Sequence, residues 1–170
     1  MFGQHVSLRH PRKVSFGTNV VVDDNCLIDA KGESNRGIRI GNGVFIGRNT
    51  ILSCKNGDIE LADGANLGFN CEVFSASRVT IGKRVLMAAY SYVIGGDHDF
   101  PDPSKSVLEQ TRTSAGVTIG DGVWMGAGAK ILDGVTVGEN AVVGAAAVVR
   151  DAVPAAAIAV GIPARVVGSR

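Results

Sequence analysis

The stretch that decides the fold runs from Ile119 to Val153 and reads IGDGVWMGAGAKILDGVTVGENAVVGAAAVVRDAV. An aliphatic residue stands at every sixth position, and a small or β-branched residue follows four positions after each one. The aliphatic positions are Ile119, Met125, Ile131, Val137, Val143 and Val149. Neither the 3.6-residue period of a helix nor the two-residue period of a simple strand explains this pattern. A period of six indicates short flat strands, three to a turn of roughly 18 residues, stacked into a triangular solenoid.

The same period continues towards the N-terminus. Earlier turns begin at Phe16, Ile40, Leu61 and Ile81. The sequence therefore predicts an all-β protein whose parallel β-helix of about six turns covers residues 16–154. The segment Gly95–Thr118 interrupts the period after the fourth turn and is predicted to protrude as a loop, where solenoids often bind ligands. Residues 1–15 are predicted to form an irregular N-terminal segment, and residues 155–170 a C-terminal tail.

Glycine follows many of the aliphatic positions, and the chain has 23 glycines among 170 residues. A triangular solenoid needs residues that tolerate unusual backbone angles at each corner, and Gly, Asn and Asp are the residues that do. The glycines are therefore interpreted as corners. An ordinary β-sandwich would fit the composition, but not a register that holds from Ile119 to Val153.

Charge and hydropathy argue against several classes of protein. The formal net charge is +1 and like charges form no long run, so neither nucleic-acid binding nor an anionic membrane surface is predicted. The apolar stretch Ala141–Val167 contains Arg150, Asp151 and Pro154 and keeps the six-residue register, which argues against a membrane span. Met1–His10 lacks the apolar core of a secretory signal.

The three cysteines have no paired spacing and do not predict a disulfide framework. By the register, Cys26 and Cys71 point into the core, whereas Cys54 points outward. A free exposed thiol favours a reducing compartment, so a cytoplasmic location is predicted.

One histidine stands where the solenoid breaks into its loop. The segment Gly95–Phe100 reads GGDHDF and places His98 between two carboxylates. A rigid scaffold that releases an irregular loop is a common setting for catalytic groups. His5 and His10 precede the repeat and are interpreted as solvated. From spacing alone, His98 could equally be a surface histidine in a polar turn.

Three further segments carry a resemblance to a known family. They are Ile119–Gly138 with its Val-Trp-Met-Gly, Val143–Pro154, and Val160–Val167, which reads VGIPARVV. With the Gly95–Phe100 loop they resemble the hexapeptide acyltransferases, most closely the galactoside, maltose, xenobiotic and polysaccharide O-acetyltransferases. The resemblance covers roughly residues 16–168. It implies a left-handed β-helix and an enzyme that transfers an acetyl group from acetyl-CoA to a hydroxyl of a sugar or polysaccharide.

The resemblance also implies roles for residues in and around the loop. His98 would be the general base that removes the proton of the attacking hydroxyl. Asp97 or Asp99 would orient its imidazole, with a solvated turn as the alternative. Asn70 would contact the acceptor, unless it is only a solenoid corner, and Phe100 would contact it as well. No metal is required by this mechanism.

A second set of residues is implied for acetyl-CoA. Trp124, which the register directs outward, would form a wall of the CoA or acceptor cleft, or a subunit contact. The backbone N–H of Ala127, beside Gly126, would stabilise the oxyanion of the transition state. Ala145 would line the pantetheine groove with a small side chain. Arg165 would meet the nucleotide end of the cofactor, since a guanidinium suits phosphate recognition.

Members of this family are trimers whose cleft lies between adjacent prisms. The resemblance therefore implies a homotrimer in which the His98 loop of one subunit faces the Trp124 strand of another. The part of the loop after His98 carries Lys105, Glu109 and Arg112, which match no named acceptor class. The acceptor itself stays open.

Three other functions remain as alternatives. The first is an N-acetyltransferase of an amino sugar or small molecule. The second is a noncatalytic solenoid that acts as a scaffold or subunit. The third is a zinc enzyme of the γ-carbonic-anhydrase kind, which is disfavoured because a zinc site needs several converging imidazoles or thiolates and His98 is the single histidine within the repeat.

Overall fold

The computed structural model describes all residues from Met1 to Arg170, and short β-strands make up nearly all of its regular structure. The strands are β1 (Ser7–Arg9), β2 (Val14–Phe16), β3 (Val21–Val22), β4 (Leu27–Asp29), β5 (Ile38–Ile40), β6 (Phe45–Ile46), β7 (Ile51–Cys54), β8 (Asp58–Leu61), β9 (Asn66–Leu67), β10 (Glu72–Ser75), β11 (Arg78–Ile81), β12 (Leu86–Met87), β13 (Tyr92–Gly95), β14 (Asp97–His98), β15 (Arg112–Thr113), β16 (Val117–Ile119), β17 (Trp124–Met125), β18 (Lys130–Ile131), β19 (Thr136–Val137), β20 (Val142–Val143), β21 (Val148–Val149), β22 (Ala157–Gly161) and β23 (Ala164–Ser169). Two 3-10 helices, Pro11–Lys13 and Val107–Glu109, complete the chain, and no helix has the length and apolar character that a membrane span requires.

Parallel pairing joins the strands into three sheets, which form the faces of a prism. Sheet 1 has the order β1-β4-β7-β10-β13-β18-β21, sheet 2 the order β2-β5-β8-β11-β16-β19, and sheet 3 the order β3-β6-β9-β12-β17-β20-β22-β23. Each turn passes through sheet 2, sheet 3 and sheet 1 in that order. Sheet 2 has six strands, one per complete turn, so the predicted β-helix of about six turns is confirmed, with partial turns added at both ends. The architecture is that of the left-handed β-helix.

The core is a column of side chains that stack in register from turn to turn. On sheet 3, Met87 lies beside Met125, and Met125 beside Val143, all with at most 1% exposure. One continuous cluster of 38 buried apolar residues runs through the prism. Because each fully buried aliphatic side chain contributes about 1.5–3 kcal/mol, this column is the main stabilising feature of the fold.

Gly-Asx pairs at the corner between sheets 2 and 3 link one turn to the next. The Asp121 carboxylate accepts a hydrogen bond from the Lys83 backbone N–H at 2.7 Å, in the preceding turn. A Cβ on Gly82 would lie 2.6 Å from the Asp121 Oδ1, so the residue before Lys83 must lack a side chain. The repeated Gly-Asx sequence therefore forms hydrogen bonds between successive turns and also allows the chain to turn at the corner.

The two ends of the chain differ from the prediction. The predicted irregular segment 1–15 instead contains β1, which pairs with β4 through Ser7 and Leu27, and a bridge from Phe2 to Val22. Residues 155–170 form the β22–β23 antiparallel hairpin on the end of sheet 3. Both additions cover strands that would otherwise expose unpaired backbone groups at the ends of the stack.

The prediction that Cys54 points outward is wrong. The third strand of its turn is four residues long, Ile51–Cys54, so the alternation of side chains directs both Leu52 and Cys54 inward. Burial, followed by the nearby Asp58 carboxylate, raises the pKa of the Cys54 thiol to about 12. Cys26 and Cys71 are buried as predicted, and none of the three forms a disulfide.

Candidate active site

The loop between β13 and β16 begins and ends as a small β-hairpin. Strands β14 and β15 pair antiparallel, with His98 opposite Arg112 and Asp97 opposite Thr113. Where the loop returns, the Asp133 carboxylate accepts hydrogen bonds from the backbone N–H groups of Ala115 and Gly116, both at 2.8 Å. The hairpin is thereby fixed to the solenoid at its base.

The outer part of the loop is held by its own hydrogen bonds. The Gln110 side-chain amide bridges the backbone of Asp102, with both bonds at 3.0 Å. Ser106 and Glu109 form a capping box on the short 3-10 helix. Hydrogen bonds from Ser104 and Lys105 hold the pKa of Asp102 below its usual range, and those from Ser106 do the same for the pKa of Glu109. The loop is therefore an ordered structure rather than a loose excursion.

His98 lies on this hairpin and borders two cavities. Their volumes are about 440 Å³ and about 290 Å³. The ring nitrogen Nδ1 is buried and has no hydrogen-bond partner within the chain. Buried polar atoms are nearly always paired, so this nitrogen is an exception within the chain.

Neither neighbouring carboxylate orients the imidazole. Asp97 accepts a hydrogen bond from the backbone N–H of His98 at 2.8 Å, and Asp99 accepts from the hydroxyls of Thr111 and Thr113. The predicted hydrogen bond from the imidazole N–H to one of these carboxylates is absent, because both carboxylates stabilise the turn and the hairpin instead.

The larger cavity has an apolar floor and charged walls. Phe74 and Ile94, adjacent in register on β10 and β13, form the floor on the outer face of sheet 1. Lys55 and Arg112 line it near the hairpin. Its volume falls within the range of small-molecule sites in proteins.

Tyr92 and Glu72 lie at the other end of this cavity, paired in register. Partial burial and, after it, the Glu72 charge raise the pKa of the Tyr92 phenol. The phenol therefore stays protonated and can donate a hydrogen bond. None of the cavity's sheet residues could be identified from the sequence, because outward positions of a strand carry no periodic signal.

The residues predicted for acetyl-CoA lie on a different part of the prism. Trp124 projects from sheet 3 and is 50% exposed, as the register predicts, with the exposed Leu86 beside it. Ala127 and Ala145 follow at the corner between sheets 3 and 1, where both are exposed. The Ala127 backbone N–H makes no hydrogen bond within the chain. A Cβ on Gly126 would lie 2.5 Å from the Ala145 backbone nitrogen, so this corner is closely stacked.

The other predicted contacts are dispersed. Asn70 occupies the same corner, with a left-handed φ of 55°, and its side-chain oxygen accepts a hydrogen bond from Asn49 at 3.1 Å. Phe100 is 74% exposed beside the smaller cavity. Arg165, on β23, forms an exposed ion pair with Asp151 at 3.1 Å. Asn70 thus has the structural role of a corner residue in the single chain.

A single chain does not bring these two groups together. The His98 hairpin leaves the corner between sheets 1 and 2, whereas Trp124 lies on sheet 3, the face opposite that corner. Ala127 lies at the other end of sheet 1 from the hairpin. No cluster of three or more His, Cys, Asp and Glu has the arrangement of a metal site.

Comparison with known proteins finds the same six-residue repeat in part of this chain. The family model described as bacterial transferase hexapeptide (six repeats) matches residues 116–151. The probable acetyltransferase Rv3034c of Mycobacterium tuberculosis is 35% identical over 133 residues, which are 78% of this chain and 44% of that protein. The chain therefore spans less than half the length of this relative.

Solved structures share the fold over nearly the whole chain. A variant of AntD, an N-acyltransferase from Bacillus cereus in complex with dTDP-4-amino-4,6-dideoxyglucose and coenzyme A, superposes with a TM-score of 0.70 at 19% identity, covering 99% of this chain and 82% of that one. The polysialic acid O-acetyltransferase OatWY gives a TM-score of 0.62 at 20% identity, covering 99% and 89%. In its repeat and in its fold the chain is similar to the hexapeptide-repeat acyltransferases.

Proposed function

We propose that this protein is an acetyl-CoA-dependent acetyltransferase that modifies a hydroxyl of a sugar or polysaccharide. The observation that carries the proposal is the position of His98, on a hairpin fixed to a rigid solenoid and next to a cavity of about 440 Å³. Histidine is the side chain that most often serves as a general base. The match to the bacterial transferase hexapeptide model and the acetyltransferase relative support the reaction class.

The proposed reaction is a direct transfer. His98 removes the proton of the acceptor hydroxyl while its oxygen attacks the thioester carbonyl of acetyl-CoA. The tetrahedral oxyanion accepts a hydrogen bond from the unpaired Ala127 N–H, a type of contact that contributes about 3 kcal/mol. The intermediate collapses by cleavage of the C–S bond, and the departing CoA thiolate takes the proton from His98. The products are the acetyl ester and free CoA.

Transfer to an amine is the second candidate. AntD is an N-acyltransferase and its complex holds an amino sugar nucleotide, whereas OatWY is an O-acetyltransferase of polysialic acid. Both acceptors are saccharides, which supports a saccharide acceptor for this chain.

A transfer assay tests the proposed function. Acetyl-CoA is incubated with neutral, acidic and amino sugars and their oligomers, and the free thiol of CoA is measured. Acceptor-dependent thiol release by the wild-type protein supports the proposal, and the chemistry of the active acceptor separates O- from N-transfer. Absence of both acetyl-CoA binding and thiol release would favour the noncatalytic solenoid instead.

We further propose a homotrimer whose active sites lie between subunits. The two groups of site residues lie on different sides of one prism, so they can meet only if the hairpin of one subunit approaches sheet 3 of another. The exposed Leu86 and Trp124 are consistent with a surface that a neighbouring subunit covers. Light scattering coupled to gel filtration should give three times the chain mass of 17.6 kDa. An active monomer would contradict this arrangement.

Trp124 provides a direct probe of the proposed cofactor cleft. It is the one tryptophan in the chain and is half-exposed, so its fluorescence should change when CoA is titrated into the protein. Trp124→Ala should raise KM for acetyl-CoA about tenfold, because a wall of the cleft is lost. Leu86→Ala, one turn away on the same sheet, provides a comparison for lost apolar surface. Unchanged KM values for both substrates would assign Trp124 to packing between subunits.

A further inference from the structure

The walls of the larger cavity contain two cations that no residue of the chain neutralises. Lys55 and Arg112 both line it, and neither takes part in any ion pair within the chain. Arg112 also makes no side-chain hydrogen bond, whereas Arg36, Arg48, Arg78 and Arg165 each pair with a carboxylate. The cavity therefore presents free cationic groups.

Arg112 lies directly beside the proposed base. It is opposite His98 in the β14–β15 hairpin, and directly opposed residues of an antiparallel pair have Cβ atoms about 5 Å apart on the same face. A molecule whose hydroxyl reaches His98 is therefore within reach of the guanidinium. Arginine binds carboxylates and phosphates through two parallel hydrogen bonds, which also fixes their orientation.

The charges of the cavity are separated along its length. Strand register aligns Cys54 with Ser75 and Gly95, so Lys55, which follows Cys54, lies at the hairpin end. Ala76, which follows Ser75, lines the cavity at the same hairpin end. Glu72 lies four residues before Ala76, so the two are roughly 13 Å apart at 3.3 Å per residue. The Asp97 carboxylate at the hairpin end accepts a backbone hydrogen bond from His98. The hairpin end is thus suited to an anion, and the Glu72 end to hydroxyl donors.

We infer that the acceptor is an acidic saccharide whose carboxylate binds between Arg112 and Lys55. This inference rests on the proposed function and specifies its substrate class. The apolar face of the sugar ring packs on Phe74 and Ile94, and its remaining hydroxyls donate to Glu72. The carboxylate contact places a neighbouring hydroxyl against His98.

An anion at this position could also come from the phosphates of CoA, so the experiment separates the two sources. Calorimetry measures binding of an α-1,4-linked galacturonate trisaccharide, its neutral galactose counterpart and CoA to the whole 170-residue chain. Each is measured with the wild type, Arg112→Gln, Lys55→Gln and the control Lys83→Gln. Lys83 is exposed at the corner between sheets 2 and 3, far from the cavity. Circular dichroism verifies that each variant is folded.

The wild type should bind the acidic trisaccharide at least tenfold more tightly than the neutral one. Arg112→Gln should weaken binding of the acidic sugar about 10- to 100-fold, as expected when a hydrogen bond to a charged group is lost, and should leave the neutral sugar and CoA unaffected. Equal binding of both sugars, no binding of the acidic sugar, or a selective loss of CoA affinity would each overturn the inference. Acetyl transfer to neutral sugars without acidic preference would overturn it while leaving the proposed function intact.

Discussion

Replacing His98 with alanine should lower kcat by at least about 100-fold, because proton transfer by a positioned general base contributes a factor of about 10²–10⁴. The change removes a side chain that lines both cavities at the hairpin. It removes no contact that holds the hairpin, since the His98 ring makes no hydrogen bond within the chain and Asp97 binds only its backbone. The variant should therefore keep its assembly state and its affinity for CoA.

A matched pair of variants separates loss of the base from loss of a side chain. His98→Asn retains a polar side chain of similar width but cannot accept a proton, and it should be as inactive as His98→Ala. His5→Asn is the control, because His5 is exposed with a φ of 55°, a conformation that asparagine tolerates. The readouts are kcat by thiol release, CoA binding by calorimetry, and molecular mass by light scattering. A loss of less than tenfold in both His98 variants would place the base elsewhere.

The solenoid could be predicted from the sequence because its physical basis is periodic. Each turn repeats the same inward positions, so residues such as Met125 and Val143 lie where the six-residue period places them. The ends could not be predicted in the same way. β1 and the β22–β23 hairpin cover terminal strands, and pairing at an edge is set by backbone groups rather than by an apolar period.

The candidate site was predictable only in part. His98 stands out because it interrupts the repeat, and the exposed position of Trp124 follows from the register. The pairing of Arg112 with His98 could not be inferred, because two-residue strands 14 positions apart leave no periodic signal. The role of Asp133 was also hidden. An aspartate at a solenoid corner is ordinary in sequence, and only the structure reveals that it holds the returning end of the loop.

The returning end of the loop also supplies the second large expected effect. Gly116 has a φ of 83°, a left-handed conformation that costs other residues about 1–2 kcal/mol. A Cβ there would lie well inside contact distance of the Arg78 carbonyl oxygen and 3.2 Å from the Ser77 hydroxyl. Arg78 belongs to β11, which pairs with strands on both sides, so its carbonyl has little freedom to move.

Gly116→Ala should therefore lower the free energy of unfolding by about 2–5 kcal/mol, the sum of the left-handed strain and the steric clash. Gly134→Ala is the matched control. Gly134 has nearly the same φ, 79°, but its added Cβ would meet only the Ala115 Cβ at 3.7 Å, an ordinary contact. The free energy of unfolding of Gly134→Ala should fall only by the cost of the left-handed conformation, about 1–2 kcal/mol. Thermal and denaturant unfolding of both variants measure the difference, and equal losses would mean that the Arg78 carbonyl moves away without cost.

The same pair of variants tests whether the root of the hairpin, where Gly116 binds Asp133 of the solenoid, positions His98. Gly116 donates its N–H to Asp133 at 2.8 Å and precedes β16 directly, so relief of the clash must displace the strand that carries Arg112 or weaken this anchor. A shift of about 1 Å in a catalytic group can cost on the order of 100-fold in rate. At a temperature where both variants are folded, kcat should fall more for Gly116→Ala than for Gly134→Ala, with CoA affinity equal. Equal kcat values would show that the hairpin keeps its geometry independently of its root, and that Asp133 acts on stability alone.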